Sequence, residues 1–289
     1  MNGFLCVNKP IGPSSFQIVN QLRRILHIKK IGHAGTLDPE ASGLLVIAIG
    51  TATRLLQYLP TEPKMYEFVI KFGSITDTLD REGTITDSGK PIPDLSTIEQ
   101  VLPSFTGRIS QIPPSYSALL VNGVRAYQLA RSGKAVEMQP RDIDIHRMTL
   151  KHFDRENGEA YLCVECSGGT YVRSLARDIA EKCGTIGFAS SIHRTAIGLF
   201  SLDQALPCES LENAAKHILP FDKVFTENIC LISDIQRECL LYGRDFAIPG
   251  SAQDTLYAFH NNELMAVLKH KGDSVYHPST VISGSAGSQ

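Results

Sequence analysis

Asp38 is the residue of this sequence whose type and setting could do chemistry. It stands in a loop, residues 32–43, that contains three glycines and one proline. Pro39, directly after it, disfavours helical backbone angles at Asp38. The apolar run at residues 44–49 predicts a buried strand that anchors the loop. A carboxylate on an anchored loop can act as a nucleophile or base. Asp-Pro is also a common turn pair, and the loop alone favours that simpler interpretation.

The elements around this loop can be predicted from hydrophobic periodicity and from capping residues. Residues 5–7 form a short apolar strand, and Ser14 and Ser15 are candidate caps of a helix over residues 16–26. Residues 65–72 alternate as a strand, with Tyr66 on its apolar face. A glycine pair at 168–169 precedes a helix that begins near Arg173 and runs to about residue 183. Taken by themselves, Tyr66 would be a core aromatic residue and Arg173 a surface arginine bonded to a carboxylate.

Charge is unevenly distributed along the chain. The 289 residues have a net charge of −2 and a hydrophobic fraction of 43%. The whole protein is therefore not a basic nucleic-acid-binding protein, and it can hold one large domain plus a small one. Residues 1–60 contain six Lys and Arg against two acids, a net charge of +4. This excess permits a local polyanion-binding face, and it equally fits an ordinary solvated helix.

The cysteines indicate a reducing, cytoplasmic setting. There are seven, an odd number without a framework spacing, and we expect neither a signal peptide nor a membrane span. Cys163 and Cys166 form a C-x-x-C. A strand over residues 161–166 would place them on opposite faces, and no second pair exists, so we predict no metal site. No Rossmann or P-loop fingerprint is present, and we expect no cofactor.

The residues of the Asp38 loop, Gly-His-Ala-Gly-Thr-Leu-Asp-Pro-Glu-Ala-Ser-Gly, closely resemble the catalytic motif of the TruB family of tRNA pseudouridine synthases. Further stretches resemble that family in the same order along the chain. They are Phe-Leu-Cys-Val-Asn-Lys-Pro at residues 4–10, Lys-Met-Tyr at 64–66, Gln-Ile-Pro-Pro-Ser-Tyr-Ser-Ala at 111–118, Gly-Thr-Tyr-Val-Arg at 169–173 and Ile-Leu-Pro-Phe-Asp at 218–222. Several matches in order are far more specific than one motif.

The resemblance implies a set of site residues and a reaction. Asp38 would be the nucleophile, Tyr66 would stack on the target base, and Arg173 would pair with the aspartate. The implied substrate-binding residues are His33, Tyr171, Ile192, Lys9, Pro10 and Arg194. The implied target is the T-loop uridine of tRNA, at tRNA position 55. Its isomerisation to pseudouridine exchanges an N1–C1′ bond for a C5–C1′ bond without gain or loss of electrons. Asp38 could attack the ribose C1′ or the base C6, and the sequence leaves both open.

The sequence departs from the family at three positions. Leu120 and Gly168 stand where the family has lysines, and His193 replaces the first arginine of a pair. These departures remove positive charge that could contact RNA. The acidic turn at residues 73–83 resembles the family's Thr-Asp-x-x-Asp-x-x-Gly, and we assign it no chemistry, because such turns are usually only solvated.

The resemblance also implies an α+β fold, with a mixed, mainly antiparallel sheet and helices around a catalytic cleft. We predict a catalytic domain over residues 1–226, a small PUA-like RNA-binding β domain over 227–282 and a disordered tail over 283–289. The implied partner is the T-stem loop of tRNA, bound by a monomer without a protein partner or a membrane. Two alternatives remain: an RNA-binding or tRNA-folding module without turnover, and a hydrolase that pairs Asp38 with a second acid. No second acid lies in a matching loop.

Overall fold

The computed structural model describes residues 1–121, 123–133 and 136–282. The tail predicted over residues 283–289 lies outside the described residues. The strands are β1 (Gly3–Lys9), β2 (Ile31–His33), β3 (Ala41–Ile49), β4 (Lys64–Phe72), β5 (Ser74–Thr76), β6 (Ile85–Ser88), β7 (Gly107–Gln111), β8 (Leu120–Val121), β9 (Val124–Arg125), β10 (Arg141–Asp154), β11 (Glu159–Cys166), β12 (Gly187–Ile197), β13 (Phe200–Ser201), β14 (Leu206–Pro207), β15 (Ile229–Leu231), β16 (Phe246–Ala247), β17 (Thr255–His260), β18 (Glu263–Gly272) and β19 (Val275–Val281). The α-helices are α1 (Ser15–Leu26), α2 (Leu95–Val101), α3 (Ala126–Arg131), α4 (Val172–Lys182) and α5 (Asp234–Leu241).

A large mixed sheet forms the body of the molecule. Its strands run in the order β14-β1-β3-β12-β4-β11-β10-β7, with β2 beside β3 and β13 beside β12. The β1–β14 and β3–β12 pairs are parallel, and the other pairs of this sheet are antiparallel. This arrangement confirms the predicted α+β fold with a mixed, mainly antiparallel sheet.

The segment that carries Asp38 is anchored on the most buried strands. Residues 44–49 of β3 are fully buried between β1 and β12, as their apolar sequence predicts. Helix α1 begins where it was predicted, because the Ser14 side chain accepts a hydrogen bond from the Gln17 N–H and the Gln17 side chain accepts one from the Ser14 N–H. Its apolar face packs in one core cluster with β1 and β3. The loop between β2 and β3 therefore projects from a rigid base.

Strand β4 alternates between the core and the opposite face of the sheet. Tyr66, Phe68, Ile70 and Phe72 are buried in one cluster with the apolar face of α4. Glu67 points to the other, more open face. The predicted period-2 pattern is thus confirmed, and the side of the sheet that carries α4 also carries Tyr66.

The C-terminal part forms a separate sheet that shares a core with the first. Its order is β15-β17-β18-β19-β16. Phe259, Val267 and Ile282 lie in one apolar cluster with Phe4 and Leu55 of the N-terminal part. The Tyr257 hydroxyl also donates to the carbonyl oxygen of Tyr58 at 3.1 Å. The predicted division at residue 226 stays a prediction, and the contact between the two parts combines apolar packing with hydrogen bonds.

Two further helical segments contain 3₁₀ geometry. Residues 50–58 form a 3₁₀-helix. Helix α2 ends at Val101 and the chain continues as a 3₁₀-helix to Phe105, because Pro103 has no N–H to continue the α-helical ladder. Within the described ranges, no helix has the length and apolarity needed to cross a membrane.

Candidate active site

The loop that carries Asp38 is held by the segment between β1 and α1. The Ser15 hydroxyl donates to the Leu37 carbonyl at 2.9 Å and accepts from the Leu37 N–H at 2.8 Å. The Gly12 N–H donates to the Pro39 carbonyl at 2.9 Å. Both neighbours of Asp38 in the chain are therefore fixed through their backbones. The side chain of Asp38 stays free to point outward and is 40% exposed.

Lys9 holds the same loop from inside. Its side chain is fully buried, and its ammonium donates to the carbonyls of Pro10, Pro13 and Pro39 at 2.8, 2.9 and 3.3 Å. Burial lowers the pKa of Lys9 to about 8, and the nearby Asp38 opposes that shift. Lys9 and Pro10 were predicted to bind substrate. In the structure the Lys9 ammonium is instead occupied by loop carbonyls.

Arg173 lies in the first turn of α4 and connects three segments. Its Nη2 is 2.9 Å from Asp38 Oδ2, and its Nη1 is 3.3 Å from Asp80 Oδ2. The same guanidinium donates to the carbonyls of Thr78 at 2.8 Å and Tyr116 at 2.9 Å. The side chain is only 5% exposed, so its charge is shared between two carboxylates in a setting that excludes most water. The structure thus brings Asp38 and Arg173 together, as the resemblance implied.

Asp80 is a site residue that the sequence analysis missed. It lies in the acidic turn to which we assigned no chemistry, yet its side chain is only 8% exposed. Its Oδ1 accepts hydrogen bonds from the Thr78 hydroxyl at 2.5 Å and the Glu82 N–H at 3.1 Å. The signal was the resemblance to the family's Thr-Asp-x-x-Asp-x-x-Gly pattern, which we interpreted as a solvated turn. Asp80 does not line the pocket, so it contacts Arg173 on the side of the guanidinium that faces away from the pocket.

A pocket opens beside Asp38. It has a volume of about 260 Å³ and lies where β3, β4, β12 and the start of α4 meet. The predicted site residues that line it are Asp38, Tyr66, Tyr171, Arg173, Ile192 and Arg194. The other three, His33, Lys9 and Pro10, do not line it. The volume is below the roughly 300–1,000 Å³ of sites for drug-sized ligands, which suits a single small group such as one base.

Tyr66 and Ile192 form the apolar wall of this pocket. In the sheet register Tyr66 lies opposite Arg194, and Ile192 lies opposite both Ala41 and Phe68. Tyr66 is 8% exposed, and burial raises the pKa of its phenol, while the charge of Arg194 acts in the opposite direction. A planar group that entered the pocket would meet the Tyr66 side chain next to the Asp38 carboxylate.

Tyr171 is held at the pocket by a buried amide. Its N–H donates to Gln111 Oε1 at 2.9 Å, and its carbonyl accepts from Gln111 Nε2 at 3.2 Å. Gln111 is 1% exposed. This pair of bonds fixes the backbone two residues before Arg173, and burial raises the pKa of the Tyr171 phenol.

Arg194 fixes the loop from the side opposite to Lys9. Its side chain is 1% exposed, and it donates to the carbonyls of Leu44 at 2.9 Å, Thr36 at 3.3 Å and Gly35 at 3.2 Å. At Gly43, with φ +103°, a Cβ would lie 2.3 Å from the Arg194 carbonyl oxygen, so only glycine permits this close approach of β3 and β12. Arg194 was predicted to bind substrate, and it both lines the pocket and positions the loop.

The other residues that the sequence analysis singled out do not line the pocket. His33 ends β2, is partly buried, and burial lowers the pKa of its imidazole. His193 points to the other face of the sheet, where its Nδ1 is 2.8 Å from the Ser42 hydroxyl. Leu120 is 59% exposed. Gly168 donates its N–H to Glu62 Oε1 at 2.8 Å.

Comparisons with known proteins agree with this geometry. The family model described as TruB family pseudouridylate synthase (N terminal domain) matches residues 23–172. The tRNA pseudouridine synthase B of Ehrlichia canis (strain Jake) is 44% identical over 212 residues, 73% of this chain and 70% of that protein. The protein of the same name from Rickettsia akari (strain Hartford) is 43% identical over 229 residues, 79% and 78% of the two chains.

A solved structure shows the same fold over nearly the whole chain. A chain in the structure of an H/ACA RNP bound to a substrate RNA containing 2′-deoxyuridine superposes with a TM-score of 0.73 at 21% identity. The match covers 98% of this chain and 86% of that chain, so it includes the C-terminal sheet, which is the PUA-like β domain expected from the sequence. The family model and the two relatives establish that this chain belongs to the TruB family of pseudouridylate synthases.

Proposed function

We propose that this protein converts a uridine of tRNA into pseudouridine, and that its target is the T-loop uridine at position 55. The observation that carries the proposal is the Asp38 carboxylate, which is partly exposed in a pocket and bound at 2.9 Å by the buried Arg173. Relatives named tRNA pseudouridine synthase B, 43–44% identical, support tRNA as the substrate class.

The reaction requires that the base leave its stack, because neighbouring bases cover the reacting atoms until then. The pocket has room for one base between Asp38, Tyr66 and Ile192. Asp38 then attacks either the ribose C1′ or the base C6 as a carboxylate nucleophile. The N1–C1′ bond breaks, the uracil turns over, and C5 bonds to C1′. The bond from Asp38 to C1′ or C6 breaks in turn, which returns the free carboxylate. Arg173, whose Nη2 lies 2.9 Å from Asp38 Oδ2, orients the Asp38 carboxylate for this attack.

Tyr66 supplies two functions in this scheme. Its ring stacks on the flipped base, a contact worth about 1–3 kcal/mol per base. Its hydroxyl accepts the proton that leaves C5 after the new bond forms, directly or through a water. Burial raises the pKa of this phenol, and the positive charge of Arg194 acts against that shift. Ile192 packs on the base from the neighbouring strand.

We infer that the protein acts on its tRNA substrate as a monomer that needs no protein partner. We place the catalytic part at residues 1–226 and the PUA-like RNA-binding part at 227–282. Because the proposed substrate is tRNA, we place the reaction in the cytoplasm.

The proposal is tested by release of tritium from tRNA labelled at C5 of uridine. The unmodified protein is expected to release one equivalent per T-loop without added metal or nucleotide. Asp38→Asn keeps the size of the side chain and removes its charge, so the variant is expected to fold and to bind tRNA without release. A near wild-type rate from Asp38→Asn would refute the role of Asp38. Good tRNA binding by the unmodified protein without any release would favour the non-catalytic RNA-binding module.

A further inference from the structure

Lys64 is a cation in the pocket to which the scheme above gives no function. It is the first residue of β4 and lies two positions before Tyr66, on the same face of the strand. It lines the pocket together with Asp38 and Tyr66. Its ammonium lies between two backbone segments, 3.9 Å from where a Cβ on Gly35 would stand and 3.8 Å from where one on Gly168 would stand.

This ammonium has no partner in the described part of the chain. No carboxylate oxygen lies within 4.0 Å of Lys64 Nζ there, and the nitrogen makes no hydrogen bond. The nearest acidic side chain that acts on it, Glu62, is used by the Gly168 N–H at 2.8 Å. Burial and the neighbouring charge of Arg194 both lower the pKa of Lys64. The partial burial of Lys64 thus disfavours the charged form of its amine in the free protein.

The other cations of the pocket are already satisfied. Arg194 donates to three carbonyls, and Arg173 binds Asp38 and Asp80. Lys64 therefore supplies the positive charge that the pocket leaves without a counter-charge. An ammonium is a compact point charge that suits a phosphate oxygen. A tRNA substrate brings such an oxygen with every nucleotide.

The position of Lys64 along β4 fits the sugar-phosphate chain of a base at Tyr66. Residues i and i+2 of a strand are about 6.6 Å apart on one face. A base stacked on Tyr66 carries its ribose and phosphate a similar distance away, outside the apolar part of the pocket. We propose that Lys64 binds the phosphate joined to the ribose of the flipped uridine and so positions that nucleotide over Asp38. This inference rests on the proposed function and deepens it.

Gly168 has no side chain that could share this function with Lys64. A Cβ on Gly168 would lie 2.5 Å from Glu62 Oε1, so no side chain fits there while Glu62 accepts the Gly168 N–H. A lysine at position 168, as in the family motif, would need Glu62 to move. At this edge of the pocket Lys64 therefore provides the cation that position 168 does not.

The test measures binding of a T-loop stem-loop RNA at several salt concentrations. Lys64→Met is expected to raise the Kd about tenfold and to reduce the salt slope by roughly 0.7–0.9, the change for one lost phosphate contact. Lys64→Arg keeps the charge and is expected to stay within threefold of wild type. Lys151→Met is the matched control, because Lys151 is exposed and lies on the opposite face of the same sheet, beside Glu67 and Cys163. It is expected to bind as wild type does.

A second arm identifies the anion. The Kd of wild type and of Lys64→Met is measured for stem-loops that carry a neutral methylphosphonate in place of the phosphate 5′ or 3′ of the target uridine. At one of these positions the analogue is expected to weaken wild type about tenfold and to leave the variant unchanged. Equal weakening of both proteins at both positions would overturn the proposal. So would a normal Kd with a reduced rate at saturating RNA, which would assign Lys64 to charge that develops on the uracil.

Two controls keep this result separate from other failures. Thermal unfolding of Lys64→Met is expected to match or exceed that of wild type, since the substitution removes a half-buried charge without a partner. If Lys64→Met is less stable than wild type, Lys64→Gln replaces it in the same binding assay. Binding is measured without turnover, so a wild-type protein that binds but releases no tritium would refute the proposed function while the Kd of the Lys64 variant still decides this inference.

Discussion

Replacement of Asp80 by asparagine tests whether the second carboxylate on Arg173 serves the reaction or only the fold. Asparagine keeps the shape, and its Oδ1 can still accept from the Thr78 hydroxyl and the Glu82 N–H. The Nδ2 group would then stand where Asp80 Oδ2 now lies, 3.3 Å from Arg173 Nη1. Two donors would face each other there, and the guanidinium would keep only Asp38 as an anionic partner.

The size of the effect follows from the distance and the burial. Two unit charges 3.3 Å apart interact by about 5 kcal/mol at an effective dielectric constant of about 20. Arg173 keeps Asp38 and two carbonyls, so we expect a stability loss of about 3 kcal/mol, at the lower end for a broken buried pair. That corresponds to a Tm lower by about 6–12 °C. The full charge of Arg173 then falls on Asp38, and a carboxylate held more tightly is a poorer nucleophile. We expect the rate to fall about 10–100-fold, or roughly 1.4–2.7 kcal/mol.

The assay is single-turnover tritium release at saturating RNA, at least 15 °C below the Tm of each variant. Asp77→Asn is the control from the same turn, because Asp77 is exposed and contacts only the Thr84 N–H and the Tyr116 hydroxyl. It is expected to keep its rate within threefold. If Asp80→Asn loses stability but releases tritium at the wild-type rate, Asp80 supports the fold alone and our reasoning about the shared guanidinium is wrong.

Three further predictions concern the proton acceptor, the buried lysine and the C-terminal sheet. Tyr66→Phe should keep most of the RNA binding and lose release by about two orders of magnitude or more, the scale of a lost general base; full release would leave Tyr66 as a stacking platform only. Lys9→Met should unfold at a lower denaturant concentration than wild type, and the difference in stability between the two proteins should widen from pH 8 to about 10. The pKa of Lys9 is lowered to about 8 in the folded protein, so over this pH range the unfolded wild-type chain binds a proton that the folded chain has lost. A difference in stability that does not change with pH would contradict that protonation state. Deletion of residues 229–289 should weaken tRNA binding more than it slows chemistry at saturation. The deletion removes Tyr257, whose ring centroid lies 4.4 Å from that of Phe225, so a polar replacement of Phe225 is required. A soluble, saturated and inactive truncation would contradict the two-domain division.

The sequence predicted the elements whose pattern is local. The apolar run before residue 50 and the alternation after Met65 specify buried strands without further context, and both strands formed as predicted. Asp80 could not be assigned in this way. Its function depends on Arg173, 93 positions later in the chain, and the two meet only because the acidic turn folds over the start of α4. In the sequence, an acidic turn that binds a buried guanidinium looks the same as one that binds water.

Lys9 and Arg194 show the same limit for cations. Each was expected to bind substrate. In the structure each is almost fully buried and donates to carbonyls of the loop that carries Asp38. Lys9 binds the loop at Pro39, and Arg194 binds it at Gly35 and Thr36. Two buried side chains therefore fix the loop on both sides of Asp38. Neither needs substrate to take up this position. The Asp38 carboxylate is therefore in position before RNA binds. The free energy of RNA binding can then be used to unstack the base, because none of it is needed to order the loop.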